Sequence, residues 1–99
     1  MIEYVADSED DPKLRAWLVP EDTNDEINDP TVVRPDGWRL IIVRTEAPPG
    51  TEPVRSTWEL TIIEALMHME YYWSSKPDWK IYQTGESIDL YKILEIDWK

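Results

Sequence analysis

The stretch that decides the fold is STWELTIIEALMHMEYYWSS, residues 56–75, because it carries the clearest period in the chain. Its apolar residues recur at spacings that place them on one side of a helix. They are Trp58, Ile62, Ala65, Leu66, Met69, Tyr72 and Trp73. Three further apolar residues fall on the opposite side, namely Leu60, Ile63 and Met67. The pattern predicts a helix that is either covered on both flanks or exposes an apolar strip to a partner.

The ends of this helix carry their own signals. Ser56 followed by Glu59 has the spacing of a capping box, in which each side chain bonds the backbone N–H of the other residue. Lys76 and Pro77 form a natural stop beyond the last apolar position. We therefore predict one long helix over about 57–74.

The segments before and after the helix have the composition of strands. WRLIIVRT, residues 38–45, is apolar on both parities, which is typical of a central strand. The Pro-Asp-Gly sequence just before it favours a turn and predicts a hairpin with a short strand at 31–34. Alternating apolar residues predict a second hairpin, of 79–83 with 88–97. A C-terminal helix capped by Ser87 is the alternative for the last of these segments.

The N-terminal part is less regular. IEYVA, residues 2–6, is predicted to be a strand, whereas residues 12–18 are either a strand or one or two helical turns that begin at Pro12. The predicted fold class is α+β, with an antiparallel β-sheet of about 4–6 short strands and one long helix, about 57–74, packed on one face. The 99 residues are expected to form a single domain, 1–99.

Composition excludes several classes of protein. The chain has no cysteine, so disulfide scaffolds, thiolate metal sites and thiol nucleophiles are excluded. Neither a signal peptide nor a run of about 20 apolar residues is visible, so we expect a cytoplasmic protein without a membrane span. The three glycines are too far apart to form a phosphate-binding loop, and we predict no cofactor.

The net charge of −11 is concentrated at the front of the chain. Residues 1–30 hold ten acidic residues against Lys13 and Arg15, which accounts for −8 of that charge. Five of the carboxylates lie in PEDTNDEINDP, residues 20–30, which we expect to be an acidic loop. This distribution argues against direct binding of nucleic acid or of an anionic membrane, because both need clustered Lys and Arg.

The acidic loop does not have the pattern of a calcium site. An EF-hand loop that begins at Asp22 needs Gly at its sixth position and Glu at its twelfth. The chain has Ile27 and Val33 at those positions, and no helix is predicted on either side. We predict no metal site here or elsewhere.

The only histidine, His68, lies four residues after Glu64 and three before Tyr71, away from the apolar stripe. This helix face is compatible with general acid–base chemistry or with ligand binding. A simple pair on a solvated helix face explains the same spacing, and nothing else in the sequence supports catalysis. We therefore predict that the protein is not an enzyme, and a small enzyme or ligand-binding domain on this face is the alternative.

The sequence instead favours a small acidic protein-binding module, such as a stoichiometric inhibitor, an immunity or anti-defence protein, or a nucleic-acid mimic. It would dock on a basic surface of a partner protein, including one that itself binds nucleic acid. Exposed aromatic residues would add short-range affinity, and a homodimer is also compatible with the sequence. The predicted partner-binding residues are Glu9, Asp10, Asp11, Trp17, Asp22, Asp25, Glu26, Asp29 and Tyr71.

Overall fold

A computed structural model describes residues 2–10, 13–21 and 37–98 of the chain. The elements in chain order are β1 (Tyr4–Ser8), β2 (Leu14–Pro20), β3 (Trp38–Arg44), β4 (Arg55–Glu59), α1 (Ile62–His68), β5 (Lys80–Ile81) and α2 (Leu90–Ile93). A short 3₁₀ turn, Met69–Tyr71, extends α1. The described strands form one five-stranded antiparallel sheet in the order β4-β3-β2-β1-β5, which confirms the predicted α+β class.

Strand β2 shows the alternation on which the sheet depends. Ala16 and Leu18 are fully buried on one face, where they lie opposite Ile42 and Leu40 of β3. Trp17 lies between them in sequence and therefore projects from the other face, where it is half-buried. One face of the sheet thus carries the core, and the other carries Trp17.

Three strand predictions are resolved by this pairing. The central strand predicted at 38–45 is confirmed, because β3 pairs with β2 on one side and with β4 on the other. The N-terminal strand is confirmed as β1, and residues 12–18 contribute to β2 rather than to helical turns. The strand predicted at 31–34 lies outside the described residues.

The long helix predicted over 57–74 is wrong. α1 and its 3₁₀ turn cover only residues 62–71, and the segment before them forms the edge strand β4. Thr57 pairs with Leu40, so the backbone groups there are satisfied by β3 instead of by a helical turn. Threonine and tryptophan, which occupy the middle of β4, are also residues that favour strands.

The helix therefore begins later than predicted. Thr61 is its N-cap, with a side-chain oxygen that accepts a hydrogen bond from the Glu64 backbone N–H at 3.2 Å. The cap predicted at Ser56 is wrong, because Ser56 lies within β4. The predicted apolar stripe is confirmed for the helical part, where Ala65, Leu66 and Met69 are buried, and Trp73 is buried just beyond it.

The strand predicted at 88–97 is also wrong. β5 contains only two residues, and after an isolated bridge between Lys80 and Ser87 the chain enters α2. Asp89, rather than Ser87, caps this helix by accepting from the Lys92 backbone N–H at 3.2 Å. The first two residues of α2 are both buried. Adjacent residues can face the same side in a helix, whereas neighbours in a strand point to opposite faces.

The chain has no phenylalanine, and tryptophan and tyrosine supply the aromatic volume of the core. Trp73 and Trp79 are buried, and Tyr72 packs against the core cluster beside them. They join one face of the sheet to α1 and α2 in a single apolar cluster. Full burial of one large apolar side chain is worth about 1.5–3 kcal/mol, so this cluster is the main source of stability.

None of the helices in the described part of the chain has the length and apolar content needed to cross a membrane.

Candidate functional site

A row of large apolar side chains lies exposed along the outer side of α1. Ile63, Met67 and Tyr71 follow one another at intervals of four residues, and Leu60 precedes them just before the N-cap. Their exposed fractions are 37%, 59% and 79%, with 58% for Leu60. We call these four residues the α1 stripe. Sequence analysis left open whether this side of the helix is covered, and the described residues leave it exposed to solvent.

A shallow depression of about 340 Å³ lies at the C-terminal end of the α1 stripe. It is lined by Glu64, Met67, His68, Glu70 and Tyr71. The rings of His68 and Tyr71 are stacked, with centroids 6.1 Å apart and planes inclined by 29°. The depression therefore combines an apolar wall, a pair of nearly parallel rings and two carboxylates, and it contains the three residues of the predicted enzyme face.

His68 contacts a carboxylate that the sequence did not suggest. Its Nε2 atom lies 3.3 Å from Oε1 of Glu59, at the end of β4. Only 12% of the Glu59 side chain is exposed, and the same oxygen accepts a hydrogen bond from the Thr57 hydroxyl at 3.0 Å. Nine residues separate Glu59 from His68, and only the turn from β4 into α1 brings them together.

Arg55 completes this network from the other end of β4. Its guanidinium donates to the Thr57 hydroxyl at 2.9 Å, to Glu59 at 3.4 Å and to the Tyr72 hydroxyl at 3.5 Å. Burial lowers the pKa of Arg55, but its contacts with Tyr72 and Glu59 outweigh that effect, so the pKa is raised overall. The network ties α1 and the 3₁₀ turn to the edge strand, which holds the depression in shape.

Trp17, a predicted partner-binding residue, lies on the far side of the sheet from α1. It meets Tyr82 edge to face, with ring centroids 4.7 Å apart, and the Arg15 guanidinium lies 5.9 Å from its ring. Tyr71, by contrast, belongs to the helix that packs on the core face. One flat partner surface therefore cannot contact Trp17 and Tyr71 together.

Glu9 and Asp10 lie exposed just after β1, close to further acidic residues. Glu9 lines a groove together with Asp7 and Asp78, and Asp10 accepts a hydrogen bond from the Ser74 hydroxyl at 2.8 Å. Asp7 is already paired with an arginine of β2 at 2.6 Å. This end of the sheet is acidic, although part of its charge is neutralised internally.

The acidic loop is attached at the opposite end of the sheet. Glu21 and Gly37, which flank residues 22–36, are joined there by a backbone hydrogen bond of 2.9 Å. β2 separates this end from Glu9 and Asp10 by roughly 20 Å, at about 3.4 Å per residue. Glu9 and Asp10 therefore lie at the other end of β2 from Glu21, the described residue at the base of the loop. Five predicted residues lie outside the described ones: Asp11, Asp22, Asp25, Glu26 and Asp29.

Glu21 itself is neutralised by an arginine. Arg39 donates to both of its carboxylate oxygens, at 3.0 and 2.7 Å. This hydrogen bonding holds the pKa of Glu21 below its ordinary value. Glu21 therefore belongs to the structural base of the loop more than to a surface that a partner could use.

Sequence reasoning missed Glu70 and Glu59 as parts of the site. The local period identified the exposed positions Leu60, Ile63 and Met67, but it did not reveal which charged groups surround them. Among residues 2–10, 13–21 and 37–98, no group of three or more His, Asp or Glu side chains is placed to hold a metal ion.

No protein-family model, curated protein or solved structure matches this chain. The geometry of the α1 stripe and its depression therefore carries the functional argument alone.

Proposed function

We propose that this protein is a stoichiometric protein-binding module that presents the α1 stripe to a partner with a basic surface. The observation that carries the proposal is the exposure of Met67 and Tyr71, at 59% and 79%, in line with Ile63 on one helix. A stable monomer rarely leaves a contiguous row of large apolar side chains in water, and such rows mark interaction sites.

Charge supports a basic partner. The carboxylates of Glu64 and Glu70 line the depression beside the stripe. The chain as a whole carries a net charge of −11, which accelerates encounter with a positively charged surface and disfavours a second copy of the same chain. Inhibitors, immunity proteins and nucleic-acid mimics bind basic enzymes in this way, and we propose that the protein belongs to this functional class.

Tyr71 would be the anchor of the interface. Tyrosine is among the residues that contribute most to binding, because it buries a large area at a low cost in side-chain entropy. The apolar Met67 beside it is flexible and adapts to the shape of a partner. The acidic groups at residues 9–10 and in the loop would act at longer range.

The test compares two double variants as baits in an affinity capture from host cells. Met67→Ser with Tyr71→Ser removes the end of the α1 stripe, whereas Ile2→Ser with Ile93→Ser removes two other large apolar residues that are more than half exposed, at 54% and 62%. We expect the stripe variant to lose the basic protein that the wild type retains. The control should retain it, and salt should weaken capture because it screens the charges.

Equal recovery of that protein by the stripe variant, the control and the wild type would contradict the proposal. Circular dichroism and thermal melting of both variants establish that any loss of capture is not a loss of folding.

A further inference from the structure

We propose that the depression beside the α1 stripe receives one arginine side chain of the partner. This inference rests on the proposed function and names the chemistry that the site recognises. It depends on three features of the depression: its ring pair, its carboxylates and its apolar wall.

The ring pair offers a planar platform. His68 and Tyr71 are inclined by only 29°, and Tyr71 is 79% exposed, so one face of its ring is open to a ligand. A guanidinium is planar and weakly hydrated, and it stacks on aromatic faces more readily than an ammonium does. This favours arginine over lysine as the occupant.

The charge of the depression is complementary to a cation. Glu64 and Glu70 both line it, and none of the lysines and arginines in the described part of the chain does. The nearest arginine along the network, Arg55, is directed to Glu59 and to two hydroxyl groups. A carboxylate binds a guanidinium through two parallel hydrogen bonds, which adds orientation to the Coulomb attraction.

The apolar wall suits the rest of an arginine side chain. Met67 lines the depression and is 59% exposed, so the methylene groups of the ligand would cover part of its surface. A metal ion is a poorer fit, because the described residues contain no group of three or more ligating side chains. Only a long organic cation satisfies the wall and the carboxylates together.

A titration with blocked amino acids tests this directly. The probes are N-acetyl-arginine methylamide, its lysine counterpart, and its neutral isostere N-acetyl-citrulline methylamide. His68 is the only histidine in the chain, so its imidazole NMR signals report on the depression without overlap from another histidine. We expect the arginine compound to shift these signals with a dissociation constant on the order of millimolar. The lysine compound should bind at least about threefold more weakly, and citrulline should cause no saturable shift.

Two matched pairs of variants locate the binding. Glu64→Gln with Glu70→Gln should weaken arginine binding by roughly fivefold, the sum expected for two charge pairs at or near the surface. Glu52→Gln with Glu86→Gln makes the same change in charge elsewhere on the exposed surface and should have less than about a twofold effect. Tyr71→Phe should retain binding because it keeps the ring, and Tyr71→Leu should lose it.

Equal shifts from arginine and citrulline, or equal affinities for arginine and lysine, would overturn the arginine assignment. The assignment would also be overturned if Glu52→Gln with Glu86→Gln weakened arginine binding as much as Glu64→Gln with Glu70→Gln does. If the α1 stripe is needed to capture a partner but the arginine compound leaves His68 unperturbed, the proposed function stands and this inference fails. If arginine binds but the stripe variants capture the same proteins as the wild type, the depression is a cation site and the proposed function fails.

Discussion

Tyr91 is the residue at which burial has its clearest consequence for titration. The side chain is only 3% exposed, and burial raises the pKa of its hydroxyl above the ordinary value of 10.0. The neighbouring Trp79 offsets this effect in part, while the negative charges of Glu70 and Asp89 add to it. The folded protein therefore holds the phenolic proton more tightly than the unfolded chain does.

This linkage predicts a loss of stability at alkaline pH. Because the pKa is raised on folding, the contribution of Tyr91 is fully present below about pH 10 and is lost as the pH rises through the folded-state value. We expect the free energy of unfolding of the wild type, measured by urea denaturation, to fall as the pH rises above about 10. The free energy of unfolding of Tyr91→Phe should fall less over the same pH range.

Tyr82→Phe is the control for this measurement, since Tyr82 is 54% exposed. It should follow the wild type. If Tyr91→Phe loses as much stability as the wild type over this range, the burial of the hydroxyl does not control the alkaline transition.

Glycine is required at position 37 for a reason that the sequence does not reveal. The sequence placed it in a turn, on the strength of Pro-Asp-Gly. In the structure it is buried beneath Trp58, and a β-carbon at this position would collide with the indole ring. The indole N–H of Trp58 also donates to the Glu21 carbonyl at 3.1 Å. Glycine is needed there for close packing against an aromatic residue of another strand.

At the scale of elements, α2 is short, but hydrogen bonds cap both of its ends. Asp89 caps its start, and its end has the geometry of a Schellman motif. The Ile96 N–H donates to the Tyr91 carbonyl at 2.9 Å, and the Glu95 N–H donates to the Lys92 carbonyl at 3.2 Å. These bonds satisfy the last carbonyls of a four-residue helix that propensity alone would not stabilise.

The same motif places Glu95 in a strained backbone conformation, with φ = 56°. Left-handed backbone costs an L-residue about 1 kcal/mol, and glycine avoids this cost. We expect Glu95→Gly to raise the free energy of unfolding by about 1 kcal/mol, which corresponds to an increase in Tm of about 4–8 °C. Thermal melting followed by circular dichroism measures the change.

Asp97→Gly is the matched control, because Asp97 is also an exposed acid near the C-terminus but has no positive φ. It should leave Tm unchanged or lower it, since glycine increases the entropy of the unfolded chain. If Glu95→Gly instead lowers Tm by as much as Asp97→Gly does, the left-handed conformation of Glu95 is not under strain.

The position at which β4 ends and α1 begins is also determined by contacts between elements. Residues 55–61 contain two alternative helix starts, Ser56 with Glu59 and Thr61 with Glu64, and both have the capping-box spacing. The later one is used because β3 offers an edge with which 55–59 can pair. The Glu59–His68 contact exists only because of this choice, since a continuous helix would place the two residues more than two turns apart.

At the scale of the whole molecule, the described acids near the N-terminus lie apart from the α1 stripe. The acids at residues 9–10 and the base of the acidic loop lie at opposite ends of β2, roughly 20 Å apart. The Debye length is about 8 Å at physiological ionic strength, so we expect charges at these two ends to act independently on the proposed partner. Neither group contains the apolar residues of the α1 stripe, which leads us to expect that they affect different rate constants.

We predict that the loop acids control association and the stripe controls dissociation. Asp22→Asn, Asp25→Asn, Glu26→Gln and Asp29→Asn together should lower the association rate constant by about tenfold at low salt. They should leave the dissociation rate constant within about twofold of the wild type. Surface plasmon resonance against the captured partner, at low salt and in 0.5 M NaCl, measures both constants.

The wild type and the loop variant should have equal association rate constants in 0.5 M NaCl, where the Debye length is only about 4 Å. Met67→Ser with Tyr71→Ser is the comparison, and it should raise the dissociation rate constant at both salt concentrations. If neutralising the loop acids changes only dissociation, those residues belong to the contact surface and do not act by steering.

The sequence by itself determined the features that depend on local period. Apolar residues on both parities predicted β3, and a helical period identified both the buried residues of α1 and the apolar residues Ile63 and Met67 on its other side. These predictions succeeded because the direction of a side chain follows from its position along a strand or helix, whatever the rest of the chain does.

Only the tertiary structure decided where elements end and which charged groups meet. A strand at 55–59 and a helix at α2 required partners distant in sequence, and these overrode the local signals at Ser56 and at 88–97. The meeting of Glu59 with His68 follows from the pairing of β4 with β3, and the separation of Trp17 from Tyr71 follows from the packing of α1 on the opposite face of the sheet from Trp17. The physical reason is that pairing and burial are long-range contacts, whose energy is not encoded in any short stretch of residues.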